Sequence, residues 1–284
     1  MISTPRIRRP VLWMLVLLAL VMAAALYAVL TGPASVRIAS FNIQDYPHSP
    51  EQAAGAVDFI NDLDVDIIGI QEVTEPKAFD DNVDAYLDDR WQTVHVDQDD
   101  AIHRVALLYD NSALEFLEHT THRDTVVVDG ARATLEVRLK TRSGDARRLL
   151  RIFVVHLAAH PDGTEQRRQQ LHALRPIIGD AVDSDDEVAI VGDFNAIGVA
   201  DHHEIEEFAG DTGLDWTSQH LRCTAYWERD DICRGTPLDH ILSTEFADSV
   251  QAAGACQTVG CAPREECPRY VDQISDHCPV VAEF

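Results

Sequence analysis

The feature that most constrains this chain is a repeated pattern: short apolar runs rich in β-branched residues, most of them meeting a polar residue at one end. Eight such runs occur: "VRIASFNI" (Val36–Ile43), "VDIIGIQEV" (Val65–Val73), "RVALLYD" (Arg104–Asp110), "ARATLEVRLKT" (Ala131–Thr141), "LLRIFVVHL" (Leu149–Leu157), "EVAIVGDFN" (Glu187–Asn195), "PLDHILS" (Pro237–Ser243) and "CPVVAEF" (Cys278–Phe284). Runs of this length, continuous or alternating with period two, read as strands. Two stretches have a different character. "EQAAGAVDFINDL" (Glu51–Leu63) sets Ala53, Val57, Ile60 and Leu63 on one helical side, and "TEQRRQQLHALRPII" (Thr164–Ile178) reads as a polar helix. Strands outnumber helices, and the helices fall between them. The expected fold is therefore α/β, a four-layer sandwich of two packed mixed β-sheets flanked by helices, not a single doubly wound sheet.

The first 34 residues stand apart. "VLWMLVLLALVMAAALYAVL" (Val11–Leu30) holds twenty residues without a charge, enough at helical rise to cross the hydrocarbon core. Arg6, Arg8 and Arg9 precede it, so the positive-inside bias keeps that flank cytoplasmic and sends the rest of the chain across. The expectation is one N-terminal transmembrane helix within residues 1–34 and a catalytic domain over 35–284. A cleaved signal peptide is the alternative, and it exports the domain equally. No repeat, linker or low-complexity tract divides residues 35–284.

Net charge narrows the choice of partners. The chain carries −25, and without the three flanking arginines 20 basic residues face 48 acidic ones, a net of −28. A surface of that sign repels polyanions at long range and disfavours nucleic-acid binding through a basic face. It leaves room for metal-dependent chemistry on phosphates, because a bound cation reverses the field within a cleft. Cys223, Cys233, Cys256, Cys261, Cys267 and Cys278 lie in the last quarter of the chain with no zinc-like spacing, and so point to disulfides. Spacing suggests one clip between Cys223 and Cys233 and another between Cys256 and Cys261 or Cys267, with Cys278 buried or taking the remaining partner. The insert they bracket carries Tyr226 and Trp227, which either stack on a substrate at the cleft rim or serve as structural packing.

Strand-end polar residues supply the chemistry. Asn42, Glu72, His156, Asp193, Asn195, Asp239, Asp276 and His277 all lie at or beside strand ends. Open sheets place ligands there, so these residues can converge on one cleft. Hard oxygen donors with two imidazoles suit a Mg²⁺-assisted phosphoester hydrolase.

The ordered segments "SFNIQ", "IIGIQEV", "VVHL", "VGDFNA", "PLDHILS" and "SDHCPV" resemble the motif set of the endonuclease/exonuclease/phosphatase (DNase I-like) superfamily, across Val36–Phe284. The resemblance implies that Glu72 is the principal metal ligand, helped by Asn42 and Asp276. It implies that His156 and Asn195 hold or polarise the scissile phosphate. Asp193 and His277 form the proton-transfer machinery, with Asp239 orienting His277. The implied cofactor is Mg²⁺, with Mn²⁺ or Ca²⁺ as alternatives, and the implied partner is a phosphoester, either nucleic acid or a lipid or small phosphodiester. Arg104 lies near a slot where relatives place a phosphate contact. Tyr109 reads as a core aromatic, His160 as a surface residue, and Arg167 and Arg168 as a solvated helix face.

The expected function is an exported, membrane-tethered nuclease or phosphodiesterase acting by in-line attack of water. A sphingomyelinase-like lipid phosphodiesterase and an inactive binding module of the same fold are the alternatives.

Overall fold

The computed structural model describes residues 35–98, 100–144 and 147–284. The apolar run Val11–Leu30 lies outside them. Among the described residues no helix is long and apolar enough to cross a membrane.

The chain runs β1 (Arg37–Tyr46), α1 (Pro50–Asp62), β2 (Ile67–Val73), α2 (Pro76–Tyr86), β3 (Trp91–His95), β4 (Arg104–Asp110), β5 (Leu114–His122), β6 (Thr134–Thr141), β7 (Leu149–His156), α3 (Thr164–Val182), β8 (Glu187–Asp193) and α4 (Val199–Thr212). The last quarter adds β9 (Ala225–Arg229), β10 (Ile232–Thr236), β11 (Asp239–Ser243), β12 (Ser249–Ala252), α5 (Gly254–Thr258), α6 (Arg269–Gln273) and β13 (Val280–Glu283). All eight apolar runs became strands. The remaining strands, β3, β5, β9, β10 and β12, are short or mostly exposed and carry no continuous apolar run.

Two mixed sheets form. One has the order β12-β13-β1-β2-β4-β3, the other β11-β8-β7-β6-β5, and β9 and β10 make a separate hairpin. Among the described residues only β1 with β2 and β7 with β8 pair in parallel, and every other ladder is antiparallel. Three apolar layers follow from strand alternation. Ile38, Ile67, Leu107, Val137, Val154 and Val191 fill the space between the sheets. Phe41, Ile68 and Ile70 pack outward against Ala53, Val57 and Ile60 of α1, while Phe153 and Ile190 pack against Leu171, Leu174 and Phe208 of α3 and α4. The expected four layers are present.

Local signals start the helices. Ser49 caps α1 by accepting from Gln52 N, Pro50 opens the first turn, and Gly213, in the left-handed region at φ +74°, ends α4. Between the two sheets, Gly69 of β2 faces Val191 of β8. A β-carbon there would lie 2.3 Å from the Val191 methyl, so no larger residue fits without shifting the sheets.

Two expectations fail here. The disulfides join Cys223 to Cys261, Cys233 to Cys267 and Cys256 to Cys278, so neither suggested local clip forms. Hairpin register explains the first miss: Ala225 pairs with Thr236, which leaves Cys223 beyond the end of the ladder and well along it from Cys233. Arg167 is not solvated. It is fully buried, donating to both Asp201 carboxylate oxygens at 2.8 and 2.9 Å and to the carbonyls of Ala158 and His160. Arg168, one position on, pairs with exposed Glu165 as a surface residue should.

Candidate active site

The cleft lies at one end of the sandwich, and strand direction decides what reaches it. The parallel pairs β1/β2 and β7/β8 deliver residues from their C-terminal ends: Asn42, Glu72, His156 and Asp193, with His156 directly opposite Asp193 in the ladder. Antiparallel β4, β6, β11 and β13 enter at the same end, so they contribute from their starts: His103, Arg132, Asp239 and the Ser275–His277 segment.

All eight expected residues come together. Asn42 Nδ2 donates to Glu72 Oε1 at 3.0 Å and to Asp193 Oδ2 at 3.1 Å, while its Oδ1 accepts from Gln44 N at 3.0 Å. Asn42 therefore both closes an Asx turn and ties two carboxylates together. Glu72 Oε2 accepts from Asp45 N at 2.8 Å. His156 Nε2 lies 3.5 Å from Asp193 Oδ2 and 3.8 Å from Glu72 Oε1. Asn195 donates its backbone N–H to Asp193 Oδ1 at 2.8 Å and its side-chain amide to Leu157 O at 3.2 Å. Glu72 and Asn195 both hold left-handed backbones, at φ +66° and +50°, a strained arrangement that recurs where side chains must be aimed.

On the other wall His277 Nδ1 is 2.8 Å from Asp239 Oδ2, and its Nε2 faces Asp193 Oδ2 across 3.9 Å. Asp276 is partly exposed, with Oδ1 4.0 Å from His277 Nε2, and its backbone N–H donates to Gln44 Oε1 at 3.2 Å.

Charge states follow from this geometry. Burial is the main cause that raises Asp193, to about 7; Asp239 and Glu72 reinforce it and His277 opposes it. Burial alone would lower His277, but the Asp239 and Asp193 carboxylates outweigh it and hold the imidazole well above its ordinary value. His156 goes the other way. Burial, then Arg132, His103 and His277, keep it neutral.

Several functional candidates escaped sequence reasoning. His103 places Nε2 2.5 Å from Asp45 Oδ1, accepts from Arg132 Nη2 through Nδ1 at 3.0 Å, and stacks over His156 with ring centroids 6.4 Å apart. Arg132 is half-buried: desolvation lowers its guanidinium, and the charges of Glu72 and Asp193 oppose that. Thr224 Oγ donates to Asp239 Oδ2 at 2.7 Å, and Ser275 Oγ donates to Asn42 O at 2.7 Å. The starts of antiparallel strands were the signal that could have found His103 and Arg132. Arg104, read as near a phosphate slot, donates to the carbonyls of Gln98 and Thr74. Tyr226 is buried, its hydroxyl on Ala255 O and Gly260 O, so of the two rim aromatics Trp227 alone is exposed. Tyr109 is core and His160 exposed, as expected.

Sequence comparison matches residues 39–277 to the model of the endonuclease/exonuclease/phosphatase family. The chain belongs to that family. No curated protein matches it at the level of sequence. Solved structures share the endonuclease/exonuclease/phosphatase fold. D. rerio TDP2, solved with a single-strand DNA product, is 17% identical with TM-score 0.69, over 88% of this chain and 98% of that one. The human nocturnin catalytic domain with bound sulfate is 15% identical with TM-score 0.63, over 89% and 95%. A Bacteroides vulgatus member is 19% identical with TM-score 0.64, over 88% and 98%. Members of the family hydrolyse phosphate esters.

The residues present fit a divalent cation. Ligand atoms of Glu72, His156 and Asp193 lie within 4.8 Å of one another, as do those of Asp45, Glu72 and His103. Carboxylates held this close repel one another, and hard oxygen donors are what Mg²⁺ or Mn²⁺ takes.

Proposed function

We propose that this protein is a divalent-metal-dependent phosphodiesterase of the nuclease type, tethered by Val11–Leu30 with its cleft-bearing domain outside the cytoplasm. The observation that carries the reading is the His277–Asp239 pair facing Asp193 across a cleft whose other wall holds Glu72 and Asn42. Glu72, with Asn42 and Asp276, would hold the ion, Asn42 through the free lone pair of its Oδ1. When bound, the ion withdraws charge from a phosphoryl oxygen.

The remaining roles fall to the side chains. Asp193, whose pKa burial raises to about 7, is in its ionised form a stronger base than an ordinary carboxylate and accepts a proton from the attacking water. His277, kept protonated by Asp239, donates from Nε2 to the phosphate. Neutral His156 and the Asn195 amide orient the scissile group, and Asp239 fixes the His277 ring through Nδ1. Three disulfides within the described residues support the extracytoplasmic placement.

The test is hydrolysis by the full chain in mild detergent with Mg²⁺, using plasmid DNA, RNA and bis-p-nitrophenyl phosphate. Turnover that disappears in a chelator and in His277→Ala is expected. Turnover that survives both would end the reading.

A further inference from the structure

Anchor and cleft lie at opposite ends of the same strand. β1 begins at Arg37 and reaches the cleft at Asn42, and Val36, just before it, pairs with Phe284 at the far end of the sandwich. β1 is an interior strand, third of six in its sheet, so the chain enters beneath the middle of the domain and not along its flank. Six residues of strand separate Val36 from Asn42, about 20 Å at β rise. The segment before Val36 is short. From Leu30, the last residue of the apolar run, to Val36 is six peptide steps through "TGPAS", about 20 Å when fully extended. The headgroup layer takes roughly 5–8 Å of that reach.

What remains, about 12–15 Å, is less than the roughly 20 Å by which Val36 would have to stand off the surface for the Asn42 end to touch it. Turning the domain over would break either the strand or the span. We propose that the cleft faces away from the bilayer that holds the chain, so that its substrate is a water-soluble phosphodiester such as a nucleic-acid strand, and not a phospholipid of the same membrane. The proposal rests on the tethered-hydrolase reading above and assigns its substrate class.

Two exposed residues mark the two poles. Val199, 88% exposed, follows Asn195 beside the cleft; Phe246, 83% exposed, lies in the β11–β12 loop, near the ends of the ladders that pair Ser243 with Ala189 and Ser249 with Glu283. The full chain is reconstituted into vesicles of phosphatidylcholine and sphingomyelin, with Val199 or Phe246 replaced in turn by a fluorescent unnatural residue. Energy transfer to an acceptor at the lipid surface is expected to be stronger from position 246 than from 199. With Mg²⁺, added single-strand oligonucleotide is cleaved and the host vesicles release no phosphocholine.

Headgroup release from the host bilayer, or stronger transfer from position 199, overturns the proposal while leaving the hydrolase reading intact. Failure to hydrolyse either oligonucleotide or bis-p-nitrophenyl phosphate, in detergent as in vesicles, overturns it together with the hydrolase reading. Recovery of a chain that has lost Val11–Leu30 overturns it through the tether alone.

Discussion

His277 Nδ1 and Asp239 Oδ2 meet at 2.8 Å inside a fully buried wall, and Thr224 Oγ donates to that same oxygen at 2.7 Å. The hydroxyl also accepts from the backbone N–H groups of Leu238 and Asp239, so three bonds fix the Thr224 hydroxyl and it in turn, with His277, holds Asp239 Oδ2 in place. A carboxylate held this way can set both the tautomer and the angle of the imidazole.

Asp239→Asn is therefore expected to lower kcat on bis-p-nitrophenyl phosphate by about 10²–10⁴-fold, the usual range for losing one proton-transfer partner. Thr224→Val, which acts through Asp239, is expected to cost about 10–100-fold in kcat with KM little changed. Steady-state kinetics on the two variants checks the order.

Glu72→Gln removes a charged oxygen from the carboxylate cluster while keeping the Asn42 contact sterically satisfied. Mg²⁺ or Mn²⁺ affinity, measured by titration calorimetry, should fall by more than the roughly 10–100-fold typical of changes one shell further out. Unchanged affinity would remove Glu72 from the ligand set.

Gly69→Ala places a methyl 2.3 Å from Val191 Cγ2 between the sheets. Overpacking of this kind costs about 1–3 kcal/mol, to be read from denaturant midpoints at unchanged m-value.

Arg167→Leu leaves the Asp201 carboxylate buried without its guanidinium, a loss of about 3–5 kcal/mol. Asp201 Oδ2 also accepts from Ile197 N, close after Asn195, so activity should fall along with stability. The double variant Arg167→Leu/Asp201→Leu should regain part of the stability and none of that lost hydrogen bond, which a double-mutant cycle measures.

His240 is buried among Trp216, Phe194 and His202; burial, with His202 adding, pushes its imidazole down to about 3. An unfolded histidine titrates near pH 6.5, so below that pH the unfolded chain binds a proton that the folded chain refuses. Stability from this residue is whole above about pH 6.5 and declines as pH falls toward 3, by up to about 1.4 kcal/mol per pH unit. His240→Asn should flatten the fall of Tm between pH 6.5 and 4, even if Tm at pH 8 is lower.

The sequence by itself determined the eight apolar strands, the two flanking helices α1 and α3, and the polar residues at strand ends. Apolar runs and their terminations are local: a strand buried on both faces must be apolar along its length, and the side chain at its end is free to be polar. Asn42, Glu72, His156 and Asp193 were legible for that reason. Tertiary structure alone decided what depends on partners distant in the chain. Cys223 found Cys261 because hairpin register carried it past Cys233, and Arg167 went inward because Asp201, 34 residues on, offered a buried carboxylate. His103 and Arg132 joined the cleft because β4 and β6 run antiparallel to their neighbours, a direction that no local pattern records. Strand direction also set Val36 at the pole opposite Asn42, turning a run of apolar residues at the chain's start into a statement about which way the cleft looks.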